Sequence, residues 1–107
     1  MSVQAKICGI NSEAAMGAAV EGSADYVGLV FYAPSPRAVT AIEAAELVRQ
    51  VPDDVIKVGL FVDMDDATFS AILSQVTLDL LQLHGAETPE RVAEIHALTG
   101  LPGMKAI

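Results

Sequence analysis

Short, nearly unbroken apolar runs alternate along this chain with Ala-rich stretches whose apolar residues recur at helical spacing. Val3–Gly9 predicts a first strand. Asn11 or Ser12 can cap a helix running to about Val20, with Ala15, Ala18 and Ala19 on one face and Gly22 as its stop. Asp25–Phe31 predicts a second strand, and so continuous an apolar run suits burial on both faces of a parallel sheet. A loop over residues 32–39 follows, whose Pro34 and Pro36 oppose regular pairing. Thr40 and Glu43 have capping-box spacing at the start of a helix striped by Ala44, Ala45, Val48 and Val51.

The rhythm then repeats. Ile56–Val62 predicts a third strand, and Asp65 or Asp66 opens a helix with Phe69, Ile72, Leu73 and Val76 inward. Leu78–Leu83 predicts a fourth strand. Thr88-Pro89 suits an N-cap with proline in the first helical turn, and that helix carries Val92, Ile95 and Leu98 before Gly100. Gly103–Ile107 predicts a fifth strand at its opening.

Tandem βα units joined by short turns imply a parallel α/β sheet with right-handed crossovers. Two architectures fit. An open doubly wound sheet would be nearly complete at this length. A closed (β/α)₈ barrel needs roughly 250 residues. On the second reading residues 1–107 form one partial barrel domain, about (β/α)4 plus the start of strand five, truncated at its C-terminal end.

Composition narrows the function. The net charge is −8, from 14 acidic and 6 basic residues, and no basic stripe is present. That opposes binding to nucleic acid or to an anionic membrane. A single cysteine cannot form an internal disulfide, and the first residues lack the apolar stretch of a signal peptide. The expectation is a cytoplasmic protein. Metal-ligand spacing is missing, as are both glycine-rich nucleotide-binding loops, so neither a metal nor a cofactor is expected.

In either architecture ligands sit at the C-terminal ends of the strands. That singles out Cys8-Gly9, Phe31–Arg37, Val62-Asp63 and Gln82–Gly85. Lys6 and Cys8 share a strand face by alternation. Cys8 can be a small buried hydrophobe, or a thiol whose pKa a nearby cation lowers. Arg37 can be a solvated surface residue or a rigidly presented fork for a carboxylate or phosphate. Gln82 and His84 share one face, where they either satisfy loop backbone or line a site. His96 reads as a surface or helix-packing residue, and Asp63 as a helix-start residue.

Taken together these segments resemble the phosphoribosylanthranilate isomerases of tryptophan biosynthesis. The resemblance rests on Lys6-Ile7-Cys8-Gly9-Ile10, on Ala24–Phe31 and on Ser35-Pro36-Arg37. It continues through Val58-Gly59-Leu60-Phe61-Val62, Leu81-Gln82-Leu83-His84-Gly85 and Lys105-Ala106-Ile107, in order along the whole chain. Asn11 departs from the family's more usual threonine, though either can cap a helix. The resemblance implies the N-terminal half of a TIM (β/α)₈ barrel. It implies an Amadori rearrangement of an aminoaldose ribosyl phosphate to the aminoketose. Cys8 would then be the general base at the sugar C2, with Lys6 as a nearby cation that raises its thiolate fraction. Arg37 would hold the anthranilate carboxylate, and Gln82 and His84 would line the site.

The family's general acid is an aspartate on a later strand, and its phosphate site belongs to the loops after strands seven and eight. Both lie beyond this sequence, so the chain alone is expected to be inactive. A half barrel exposes two sheet edges and an apolar face. It is therefore expected to self-associate or to need the missing C-terminal half. A second reading, from a different class, is a receiver-type signalling domain. It would use Asp63 at the end of strand three and Lys105 on strand five. It also needs carboxylates for Mg²⁺ at the end of strand one, where this chain has Cys8-Gly9.

Overall fold

Each helix begins where a short polar side chain turns back on the backbone. The computed structural model describes residues 6–7, 9–32 and 34–105. Ser12 accepts from the Ala15 N–H at 3.1 Å and opens α1, Glu13–Glu21. Thr40 and Glu43 close the expected capping box at α2, Ala41–Val48, with both reciprocal bonds present. Asp65 caps α3, Asp66–Leu73, and Thr88 caps α4, Pro89–Thr99, whose first turn holds the proline. Gly100 ends α4 in the left-handed conformation, at φ 73°. These caps satisfy N–H groups that a helix start otherwise leaves without partners.

The strands are β1 Lys6–Ile7, β2 Tyr26–Val30, β3 Ile56–Phe61, β4 Leu80–Leu83 and β5 Gly103–Lys105. They form one sheet in the order β1-β2-β3-β4-β5, and every neighbouring pair is parallel. This order decides between the two architectures. A doubly wound sheet reverses its direction of growth at an internal strand, as in the order 2-1-3-4-5 of receiver-type folds. Here no reversal occurs, so the open-sheet and receiver readings fail. Successive right-handed crossovers in one direction put all the helices on one face, which is barrel winding.

Register tells the two faces apart. Gly28 pairs with Val58 and Val58 with Leu80, while Val30 pairs with Leu60 and Leu60 with Gln82. These residues share one face, and Val27, Leu29, Phe61, Leu81 and Leu83 point to the other. The second set packs with Met16, Ala19, Ala44, Leu47, Phe69, Ile72 and Ile95 in the helix-side core. Phe61 stacks on Phe31 and tilts against Phe69, with centroids 5.2 and 4.7 Å away. Val30 and Val58 are also buried but stand outside that cluster, on the opposite face.

Some expected stripes shift by a residue or two. In α1 the inward residues are Met16 and Ala19, whereas Ala15 and Ala18 are exposed. In α2 they are Ala44 and Leu47, with Ala45 and Val48 only half-buried. Leu98 is 44% exposed. At about 100° per residue, Val92, Ile95 and Thr99 align on one side of α4 and Leu98 falls about 90° away. Thr99 takes the inward place and satisfies its hydroxyl on the Ile95 carbonyl at 2.8 Å. His96 bonds the Leu101 carbonyl at 2.8 Å and helps close the end of that helix.

One charge enters the helix side. Lys57 is 7% exposed and its ammonium lies 3.1 Å from Asp79. Asp79 also accepts from the Lys57 N–H at 2.9 Å and so stitches the start of β3 to the chain entering β4.

Candidate functional site

Strand β1 leads into Gly9, which has φ +77°. A side chain there would be strained, and glycine lets the backbone swing away from the sheet. The Ile10 N–H then bonds the Gly28 carbonyl at 3.1 Å. Cys8 lies outside the described residues, as does the Lys6 side chain; the Lys6 backbone sits in β1 opposite Tyr26.

The loop after β2 brings a cation to this place. Ser35 N–H bonds the Tyr32 carbonyl, Ala38 N–H bonds the Ser35 carbonyl, and Ser35 Oγ accepts from the Arg37 N–H at 3.2 Å. Despite the prolines, the far end of the loop pairs with β2, through Val39 N–H to the Val30 carbonyl at 2.9 Å. Arg37 is thereby laid across Gly9. A Cβ on Gly9 would come 2.6 Å from Arg37 Cδ and 3.1 Å from Nη1. Only a glycine lets the arginine stem lie so close to this backbone. The guanidinium remains exposed at the strand ends.

At β4, alternation puts Gln82 and His84 on one side, and the structure joins them. Gln82 Nε2 lies 2.8 Å from His84 Nε2. With the amide as donor, Nε2 accepts and the ring proton sits on Nδ1. Gln82 is half-buried and His84 exposed. β1 and β4 are three strand spacings apart, about 14 Å along the sheet.

The loops after β2 and β3 enclose an open cavity of about 600 Å³, lined by Phe31, Tyr32, Pro34, Val39, Val62 and Met64 with parts of α2 and α3. None of Arg37, Gln82 and His84 lines it. Its wall is mostly apolar, and the groups suited to proton transfer or anion binding stand elsewhere on the strand ends. Chemistry rather than size therefore marks the site.

Asp63 is not a helix-start residue. Asp65 caps α3, two residues later. Asp63 takes φ 46°, a left-handed conformation that aspartate tolerates better than most residues. Its Oδ1 accepts from the Ala86 N–H at 2.7 Å, and its own N–H donates to Glu87 Oε2 at 2.8 Å. Glu87 is 8% exposed. A Cβ on Gly85 would come 2.5 Å from the Asp63 carboxylate carbon. Arg91 adds a bond to the Met64 carbonyl at 2.9 Å and an ion pair with Asp66 at 2.6 Å. The neighbouring Asp66 carboxylate pushes the Arg91 pKa up. The only sequence signal for this knot was an aspartate just past a strand and a Gly-Ala-Glu run just past the next.

The sequence profile of the family described as "N-(5'phosphoribosyl)anthranilate (PRA) isomerase" matches residues 5–107. The chain belongs to that family. It is 63% identical over 107 residues to the N-(5'-phosphoribosyl)anthranilate isomerase of Paramagnetospirillum magneticum, covering all of this chain and 50% of that one. It superposes on the crystal structure of phosphoribosyl anthranilate isomerase from Thermotoga maritima with a TM-score of 0.91 at 34% identity, over 99% of this chain and 51% of the other. A phosphoribosyl anthranilate isomerase crystallised with reduced 1-(o-carboxyphenylamino)-1-deoxyribulose 5-phosphate matches with the same TM-score and identity, over 54% of its length. The chain thus spans about half the length of the isomerases it matches, and its fold is one half of their (β/α)₈ barrel.

Proposed function

We propose that the protein containing this chain is a phosphoribosylanthranilate isomerase, and that the chain supplies the base and the carboxylate clamp of its active site. The observation that carries this reading is Arg37 lying across Gly9, one residue after Cys8. An arginine laid over the glycine that follows a cysteine, at the end of a strand, suits a substrate with both a carboxylate and an acidic carbon. Its forked donors bind a carboxylate bidentately, and a cation nearby favours the thiolate. In this reading Cys8 removes the proton from the sugar C2, and Lys6 adds positive charge on its side of β1. Gln82 and His84 line the site from β4. The relative solved with a carboxyphenylamino ribulose phosphate supports the pairing of a carboxylate with a phosphosugar.

The family's general acid and its phosphate site lie on later strands, so the reaction is completed by groups outside this chain. The substrate is a small molecule, no cofactor takes part, and the protein is cytoplasmic. No helix among the described residues is long and apolar enough to cross a membrane. The isolated 107-residue chain is one partial barrel domain, inactive by itself. It associates through its open sheet face and edges, either with another copy or with a complementing half.

The test is turnover of N-(5'-phosphoribosyl)anthranilate by the full-length protein and its Cys8→Ala variant. The expected result is turnover by the first and a fall of about 10²–10⁴-fold in the second, the usual weight of a general base. Full turnover by the variant would remove Cys8 from the mechanism. Turnover by the 107-residue chain alone would show that the later strands are not needed.

A further inference from the structure

We propose that Asp63 is a positioning residue, which locks the β4–α4 loop so that the Gln82–His84 pair stays in place on the open face of the sheet. The inference rests on the isomerase reading for its functional consequence, though not for its geometry. Asp63 bonds the neighbouring loop in both directions. Its carboxylate receives the Ala86 N–H at 2.7 Å, and its N–H is received by buried Glu87 at 2.8 Å. Both bonds are made with Asp63 in the left-handed backbone conformation, at φ 46°. Gly85 lets the carboxylate approach, because a Cβ there would come 2.5 Å from Asp63 Cγ.

This clamp begins two residues after His84. The His84 N–H bonds the Phe61 carbonyl at 2.9 Å and makes the last rung between β3 and β4. Just past that rung, the Asp63–Ala86 bond ties the start of the β4–α4 loop to the β3–α3 loop. The His84 backbone thus lies between a rung to β3 and the clamp. The imidazole Nε2 lies on Gln82 at 2.8 Å, which leaves Nδ1–H as the donor of the ring. Without the clamp the loop gains freedom, the Gln82–His84 bond loosens and the ring samples both tautomers. Asp63 touches no substrate in this account and acts only through the loop.

Three substitutions test it in the full-length protein. Asp63→Gly removes the carboxylate and leaves the backbone free to keep its positive φ. Asp63→Asn keeps an oxygen acceptor and tolerance of that conformation. Gly85→Ala drives the carboxylate away. The readouts are the ¹⁵N shifts of the His84 ring and the steady-state constants for N-(5'-phosphoribosyl)anthranilate. The wild type is expected to show one neutral tautomer, protonated at Nδ1. Asp63→Gly and Gly85→Ala are expected to show a tautomer mixture and about a tenfold fall in kcat/KM, with Asp63→Asn restoring both to within about threefold. A folded Asp63→Gly protein with wild-type ring shifts and constants would overturn the proposal. If that variant does not fold, unchanged ring shifts in folded Gly85→Ala would overturn it equally. If the wild type does not turn over the substrate, the isomerase reading fails, while the ring shifts still decide the role of Asp63.

Discussion

Leu80 and Leu81 are neighbours on β4, yet Leu81 is completely enclosed and Leu80 only half-buried. The same contrast runs along β3, where Phe61 is 0% exposed and Leu60 is half-buried. One face of the sheet packs against helices and holds the core. The other is sheltered at its centre by Val30 and Val58 and turns polar at the strand ends with Gln82, His84 and Arg37. Burial drives stability in proportion to the apolar area removed from water. The helix side therefore does most of the folding, and the open side is left able to carry chemistry. That division is familiar in barrels, whose active sites gather at the C-terminal ends of the strands.

The sharpest way to break the comparison is a matched pair. In the 107-residue chain, Leu81→Ala should lower stability by about 2–5 kcal/mol, the range for emptying a packed site. Leu80→Ala should cost about 1 kcal/mol, because half of that side chain already meets solvent. Equal losses in denaturant unfolding would mean that both faces hold the fold alike. Next in size is Asp79→Asn, which leaves the Lys57 ammonium buried without its carboxylate. It should cost about 1–3 kcal/mol, less than a fully buried pair because Asp79 is 42% exposed. A thermal midpoint that does not move would show that Lys57 finds water instead.

The smallest effect concerns pH. Hydrogen bonds from Thr68 hold the Asp65 carboxyl below its ordinary pKa. A carboxyl depressed in the folded state stabilises fully above its unfolded pKa of about 4, and that contribution is lost as pH falls through the lowered folded value. Unfolding midpoints measured from pH 7 down to pH 2 should therefore fall on the acid side. Asp65→Asn, which can still cap α3, should flatten that limb slightly. An identical acid limb in both proteins would remove Asp65 from the pH dependence.

Much of this arrangement could be read from the chain before any coordinates. Caps are local, so Ser12, Thr40 with Glu43, and Thr88-Pro89 marked the helix starts correctly. Alternation is local too, and it put Gln82 with His84. What escaped was whatever depends on contacts distant in sequence. Strand order was open between a doubly wound sheet and a barrel, because repeated βα units are common to both. Met16 and Leu47 took inward places expected of Ala15, Ala18, Ala45 and Val48, because packing against the sheet decides which side of a helix faces in. Asp63 looked like a helix start because Asp63, Asp65 and Asp66 crowd one turn. Its partners, Ala86 and Glu87, lie on the next βα loop, where no local pattern announces them. The close approach of Arg37 to Gly9 was likewise invisible, although both residues had been singled out.

The division between the two faces is tested most directly by Arg37→Ala in the full-length protein, with kcat/KM and the unfolding midpoint measured on the same sample. The account predicts a fall in kcat/KM of about 10- to 100-fold, the weight of a charge-assisted hydrogen-bonded contact. It also predicts an unfolding midpoint that stays where it was, because the guanidinium is exposed and outside the helix-side core. A midpoint that drops while kcat/KM holds would place Arg37 with the structure instead, and would contradict the account at its centre.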